Sequence, residues 1–178
     1  ALGGALPEIN EKLEMAGSRK RYNNMLGYVF GDGFGVGMIV NGMLNRGDNS
    51  CVETCYFPHA KRPDIIVEEG VSIRAVKRVY RELSGDGREL EPKDIFDIAE
   101  GRLEGDREAA VRSFAEMGEL TGEVALPAAN LVDGLIVLGG GMTGAAKYIK
   151  PSMLEVMRSK INTLEGKELG RIPMKVYD

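Results

Sequence analysis

The chain has 178 residues, 43% of them apolar and 28% charged, with a formal net charge of -4 from 23 basic and 27 acidic side chains. That length buries one sizeable core and fits one domain better than two, and the interspersed charge gives no electrostatic ground for nucleic acid or an anionic membrane as partner. No apolar run reaches the roughly 20 residues of a membrane span, and "ALGGALPEIN" lacks the basic start and apolar core of a signal peptide, so a cytoplasmic setting is expected.

Pro7 suits a first helical turn, and Ile9 and Leu13 then give an apolar stripe that predicts a helix through "PEINEKLEMAGSRKRY". Two runs rich in Val, Ile and aromatics follow, joined by glycine at every second position from Gly31 to Gly37 and closed by the hairpin dipeptide Asn41-Gly42. Three antiparallel strands are expected: Met25 to Phe30, Gly37 to Val40, and a short one near Met43 to Asn45. From Gly47 to Ile66 no period emerges, and a long irregular loop is expected there. It holds Cys51 and Cys55, too few for a disulfide framework, which read as reduced thiols, the alternative being metal binding together with His59.

Ile73, Val76, Val79, Tyr80 and Leu83 recur at helical spacing between Ser72 and Gly85, which predicts a helix whose Lys77, Arg78 and Arg81 form one solvated basic face. A second helix fits "PKDIFDIAEGR". A long one follows with Ala110, Phe114, Met117, Val124, Ala128 and Leu131 inward, kinked at Pro127. Then come the buried strand "GLIVLGGG", a helix through "AAKYIKPSMLEVMRSKI" that Pro151 should break or bend, and a strand-like "IPMKVYD". The whole reads as a mixed α/β layered domain. Because the first residue is Ala1 and the last run looks like a strand leading on, the chain is expected to be a fragment.

A glycine-rich turn lets backbone N–H groups converge on a phosphate. A dinucleotide fingerprint spaces its glycines G-x-G-x-x-G and opens a helix, and a P-loop ends in Gly-Lys-Ser/Thr, so neither fits Gly31, Gly33, Gly35 and Gly37. On spacing alone the alternative is a tight hairpin whose glycines only relieve crowding. The second cluster, Gly139, Gly140 and Gly141, ends an apolar strand before a helix, where open α/β sheets bind nucleotides.

This order of glycine hairpin, "NG" turn, Arg-Gly segment, irregular loop, helices and "LIVLGGG" resembles the C-terminal lobe of the ROK family: repressors, open reading frames and sugar kinases of the actin-like ATPase superfamily, with a ribonuclease H-like fold of a mixed sheet flanked by helices. The resemblance implies that Gly31, Asp32, Gly33 and Phe34 face ATP phosphates and that Gly139, Gly140, Gly141 and Met142 form the adenosine-side loop, with "PAANLV" echoing the family's segment before it. It implies a hexose as the other ligand. Arg46, Gly47, Asp48 and Asn49 match the lead-in to the family's sugar motif, Glu53 stands one residue early for its glutamate, and His59 lies further downstream than its histidine. Glu68 or Glu69 resembles a further sugar-binding glutamate. The alternatives are a solvated loop carboxylate for Glu53, an ordinary surface histidine for His59, and dipole-favoured carboxylates at a helix start for Glu68 and Glu69.

Three departures qualify the resemblance. The family's zinc motif C-x-C-G-x-x-G-C has no counterpart in "CVETCYFPHAKRPD", so no structural zinc is expected. The family's general base precedes a segment whose end "ALGGAL" resembles, which puts it upstream of Ala1 and leaves this chain alone without catalysis. Asp32 occupies the usual threonine position: either it helps hold Mg²⁺, or nucleotide binding is weak and the protein is a sugar-binding relative. Three readings follow: an ATP-dependent hexose kinase acting as a homodimer, the sugar-sensing domain of a ROK-type repressor, or a lobe serving mainly dimer contacts through the Ala110 to Leu131 helix.

Overall fold

The computed structural model describes residues 4–178, so Ala1 to Gly3 of "ALGGAL" lie outside it. Helix α1 runs Ala5–Met15, shorter than the periodicity predicts. Gly17 takes a left-handed φ of +73°, and the N–H groups of Ala16, Gly17 and Ser18 turn back onto the carbonyls of Lys12, Glu14 and Leu13, which ends the helix. Asn10 then exchanges two hydrogen bonds with the Tyr22 backbone, at 2.8 and 2.9 Å, and returns the chain toward the sheet.

Strands β1 (Met25–Phe30), β2 (Phe34–Val40) and β3 (Met43–Asn45) form an antiparallel meander, and β6 (Leu135–Gly140) pairs parallel to β1, giving the sheet order β3-β2-β1-β6. β2 begins at Phe34 rather than Gly37. Gly35 and Gly37 are therefore strand residues opposite Val29 and Gly27, and the turn itself is only Gly31, Asp32 and Gly33. The period-2 alternation sorts side chains to two faces. Leu26, Tyr28, Phe30 and Phe34 enter the main core with the helices, while Met25 and Ile39 join Leu6 of α1 on the other face.

The stretch expected to be irregular contains a small hairpin, β4 (Pro58–His59) with β5 (Arg62–Ile66), followed by a 3-10 turn Val67–Glu69. Helix α2 (Ile73–Ser84) ends at Gly85 with φ +68°, as expected, although Leu83 points to solvent. Its basic face is solvated and ion-paired, Lys77 with Glu91, Arg78 with Glu82 and Arg81 with Glu89.

After α3 (Pro92–Ala99), helix α4 (Arg107–Val132) runs without a break past Pro127, and α5 (Ala146–Met157) runs past Pro151. The α4–α5 crossing is close. A Cβ on Gly118 would stand 2.1 Å from the Ile149 carbonyl oxygen, and one on Gly122 would stand 2.9 Å from that of Met153. Helix α4 packs most of its residues between Ala109 and Val132 into the core, with Pro127, Asn130 and Leu131 exposed, Leu131 at 87%.

The expected strand "IPMKVYD" does not form. Pro173 has no N–H for a ladder, and the Val176 carbonyl accepts from the Arg158 guanidinium instead. Nearby, β7 (Lys160–Asn162) and β8 (Glu168–Gly170) make an unforeseen hairpin of exposed strands, each three residues long and too short to show a period. Among the described residues no helix is long and apolar enough to cross a membrane.

Candidate functional site

Parallel pairing of β1 with β6 puts Phe30 opposite Gly140, so both strands end side by side and both glycine turns open at the same sheet edge. Ligands of open α/β sheets gather at this carboxyl end of the strands. Gly140 has φ +94°, and a Cβ there would stand 2.2 Å from the Phe30 carbonyl oxygen, so only glycine permits this approach. Gly141 faces open space. Gly139, Gly140 and Gly141 thus lie at the same end of the sheet as Gly31, Asp32 and Gly33.

Two of the predicted nucleotide residues act differently. Phe34 is 2% exposed, its ring stacked between those of Tyr28 at 5.4 Å and Phe30 at 6.0 Å, and its N–H donates to Glu68 Oε2 at 3.0 Å. It anchors the hairpin and has no free donor for a phosphate. Met142 is likewise buried in the main core within the 3-10 turn Gly141–Ala145 that leads into α5. Asp32 is exposed at the tip. It lines a groove of about 540 Å³ with Arg74, Lys77, Arg78, Arg81 and Glu82, in which each basic side chain is paired with a glutamate.

On the other side of the hairpin, Gly33, Phe34 and Gly35 line a depression of about 330 Å³ together with Glu53, Cys55, Tyr56 and Glu68. Two of the predicted sugar residues, Glu53 and Glu68, therefore meet here. Desolvation first, then the nearby Glu53 and Glu68 charges, push the Cys55 thiol up from its ordinary value. The Phe34 N–H, then the Arg74 guanidinium, hold Glu68 below the usual carboxylate range, and Arg74 does the same for Glu69. Neither glutamate sits at a helix start: both belong to the 3-10 turn, ahead of α2 at Ile73.

His59 is not part of this depression. It is 2% exposed, neither a surface histidine nor a neighbour of Glu53, and it packs against Gly70, where a Cβ would stand 2.6 Å from its Nε2. Its Nδ1 accepts the Lys61 N–H at 3.2 Å, and burial pushes its pKa below the ordinary 6.5. Among the described residues no group of three or more His, Cys, Asp or Glu side chains is arranged to hold a metal ion.

Arg74 escaped the sequence reading. It donates to the Asp32 carbonyl at 2.8 Å and to Glu68 and Glu69 at 2.9 and 2.7 Å. The one available signal was its place in the first turn of α2, where the helix dipole disfavours a cation and a tertiary partner is needed.

A family model, the ROK family, matches residues 12–176, and the chain belongs to that family. A glucokinase from Parabacteroides distasonis is 42% identical with a TM-score of 0.81, over 95% of this chain and 56% of its own. A ROK family glucokinase from Streptomyces griseus, solved with glucose and AMPPNP, shares the fold at 20% identity and TM-score 0.62, over 86% of this chain and 55% of its own. So does a ROK family transcriptional regulator, a homolog of the E. coli MLC protein, at 17% identity and TM-score 0.64, over 76% of this chain and 38% of its own. The fold is that of the actin-like ATPases, a mixed sheet flanked by helices, and the chain spans little more than half the length of these kinases. A comparison with curated proteins gave no match.

Proposed function

We propose that this chain is the C-terminal lobe of a ROK-type sugar kinase that transfers the γ-phosphoryl group of ATP to a hexose hydroxyl. The observation that carries the reading is the convergence of the two glycine turns at the ends of β1 and β6, with a carboxylate-lined depression on the far side of the same hairpin. Support comes from the 42% identity to a glucokinase over 95% of this chain. In this reading the Gly31–Gly33 turn and the Gly139–Gly141 loop receive the nucleotide, and Glu53 at the depression accepts hydrogen bonds from sugar hydroxyls. Most of the rate then comes from positioning and from stabilising charge on the transferred group.

The donor set at the hairpin suits Mg²⁺, because a single exposed carboxylate, Asp32, beside incoming phosphate oxygens is the sparse protein ligation this ion accepts. When bound, the ion would neutralise phosphate charge. Asp32 would hold it. A cytoplasmic setting and a homodimer belong to the same reading.

The second reading, a sugar-sensing domain of a ROK-type repressor or a non-catalytic relative, is favoured by one observation: Asp32 stands where the family resemblance has threonine. Hexose-dependent ADP release by the full-length protein separates the two. The kinase reading expects release with ATP-Mg and at least one hexose of a panel. Thermal stabilisation by a hexose with no ADP from any of them would overturn it in favour of the sensor.

A further inference from the structure

Thr54 to Phe57 form a tight turn whose backbone is tied on both sides of Tyr56. The Phe57 N–H closes the turn onto the Thr54 carbonyl at 3.1 Å. The Cys55 carbonyl accepts the Glu68 N–H at 3.3 Å, and the Phe57 carbonyl accepts the Val67 N–H at 2.7 Å. Thr54 is buried at the start of the turn, so Tyr56 stands on a fixed main chain. Its side chain is nevertheless 70% exposed, and it lines the depression of about 330 Å³ that also holds Glu53 and Glu68. Tyr28 and Tyr148 stack their rings on Phe34 and Phe114, whereas the ring of Tyr56 is left to solvent beside two carboxylates. Gly33 and Gly35, in the same lining, add no side chain to the space.

We propose that Tyr56 is a sugar-binding residue whose ring stacks on the C–H face of a pyranose while Glu53 and Glu68 accept hydrogen bonds from its hydroxyls, an inference that rests on the sugar-site reading of this depression. A pyranose has two kinds of surface. Its hydroxyls need hydrogen-bond partners, and the C–H patches on its faces gain by leaving water. Carboxylates serve the first kind, and an aromatic ring serves the second while its polar tip stays wet. A phosphate would meet two negative charges here and make no use of the ring. The combination therefore selects an uncharged polyhydroxy ring. The size agrees, because about 330 Å³ lies at the small end of the ~300–1,000 Å³ range of ligand pockets.

Steady-state kinetics and calorimetric hexose titration of the full-length protein test this, with thermal unfolding to confirm that each variant folds. Tyr56→Ala is expected to raise both KM and Kd for the hexose about tenfold. Its kcat and its KM for ATP are expected to stay within about twofold of wild type, since stacking serves ground state and transition state alike. Tyr56→Phe keeps the ring and is expected to bind hexose within about twofold of wild type. The chain has no tryptophan, so Tyr56→Trp puts one at the depression, and hexose is expected to change its emission beyond any change in wild type. An unchanged hexose Kd in Tyr56→Ala, or an emission indifferent to a hexose that calorimetry shows bound, would remove Tyr56 and leave the sugar site standing. A Phe variant as weak as Ala would assign the contact to the hydroxyl and overturn the stacking. If wild type binds hexose but releases no ADP, the kinase reading fails by itself and the titrations still decide Tyr56. A wild type that binds no hexose overturns both.

Discussion

Phe30 and Gly140 face each other across the parallel β1–β6 pair so closely that a Cβ on Gly140 would stand 2.2 Å from the Phe30 carbonyl oxygen. This contact joins the two glycine turns. Gly140→Ala is expected to cost about 1–3 kcal/mol from its positive φ alone, with more from the clash. Gly141→Ala, which meets open space, is expected to stay within about 0.5 kcal/mol of wild type while weakening nucleotide binding. Urea unfolding and a nucleotide titration on both variants check the pair.

Asp32→Thr restores the hydroxyl of the family pattern. If Asp32 holds Mg²⁺, the variant should need about 10- to 100-fold more Mg²⁺ for half-maximal turnover, at least the loss known for an outer-shell partner. Turnover against Mg²⁺ at fixed ATP reads this, and a rise in nucleotide affinity with unchanged Mg²⁺ demand would show that Asp32 only repels phosphate.

Gly118→Ala places a methyl group against the Ile149 backbone, which cannot rotate away as a side chain would. The α4–α5 crossing must spread, at about 1–3 kcal/mol as an overpacking cost. A lowered denaturant midpoint with the fold retained by circular dichroism is the expected result.

His59 is buried and its folded pKa lies below 6.5, so the unfolded chain binds the proton more readily. Its stabilising contribution is complete above 6.5 and is lost as the pH falls from there through the lowered folded value. Wild type should therefore lose stability as the pH falls below 6.5, at no more than about 1.4 kcal/mol per pH unit from this group. His59→Gln should flatten that slope, which denaturant unfolding across the range measures.

The periodic elements were legible in the chain. Met25 to Phe30, the Ser72 to Gly85 helix and the "LIVLGG" strand reappear within a residue or two, because alternation, helical spacing and glycine stops are local signals. The illegible parts were non-local or weakly patterned. The β7–β8 hairpin has no buried face, and Pro173 and the Arg158 contact with Val176 undo the final strand.

Where glycine is needed and which family the chain resembles are legible along the chain, as positions without a Cβ and as an order of motifs. Which of those residues meet depends on the fold. Parallel pairing of β1 with β6 brought the two glycine clusters to one end of the sheet, burial set His59 apart from the depression that holds Glu53, and Glu68 accepts both the Phe34 N–H and an arm of Arg74. The reason is physical: conformational preference depends on neighbours in the chain, whereas partners depend on which surfaces the whole core must cover.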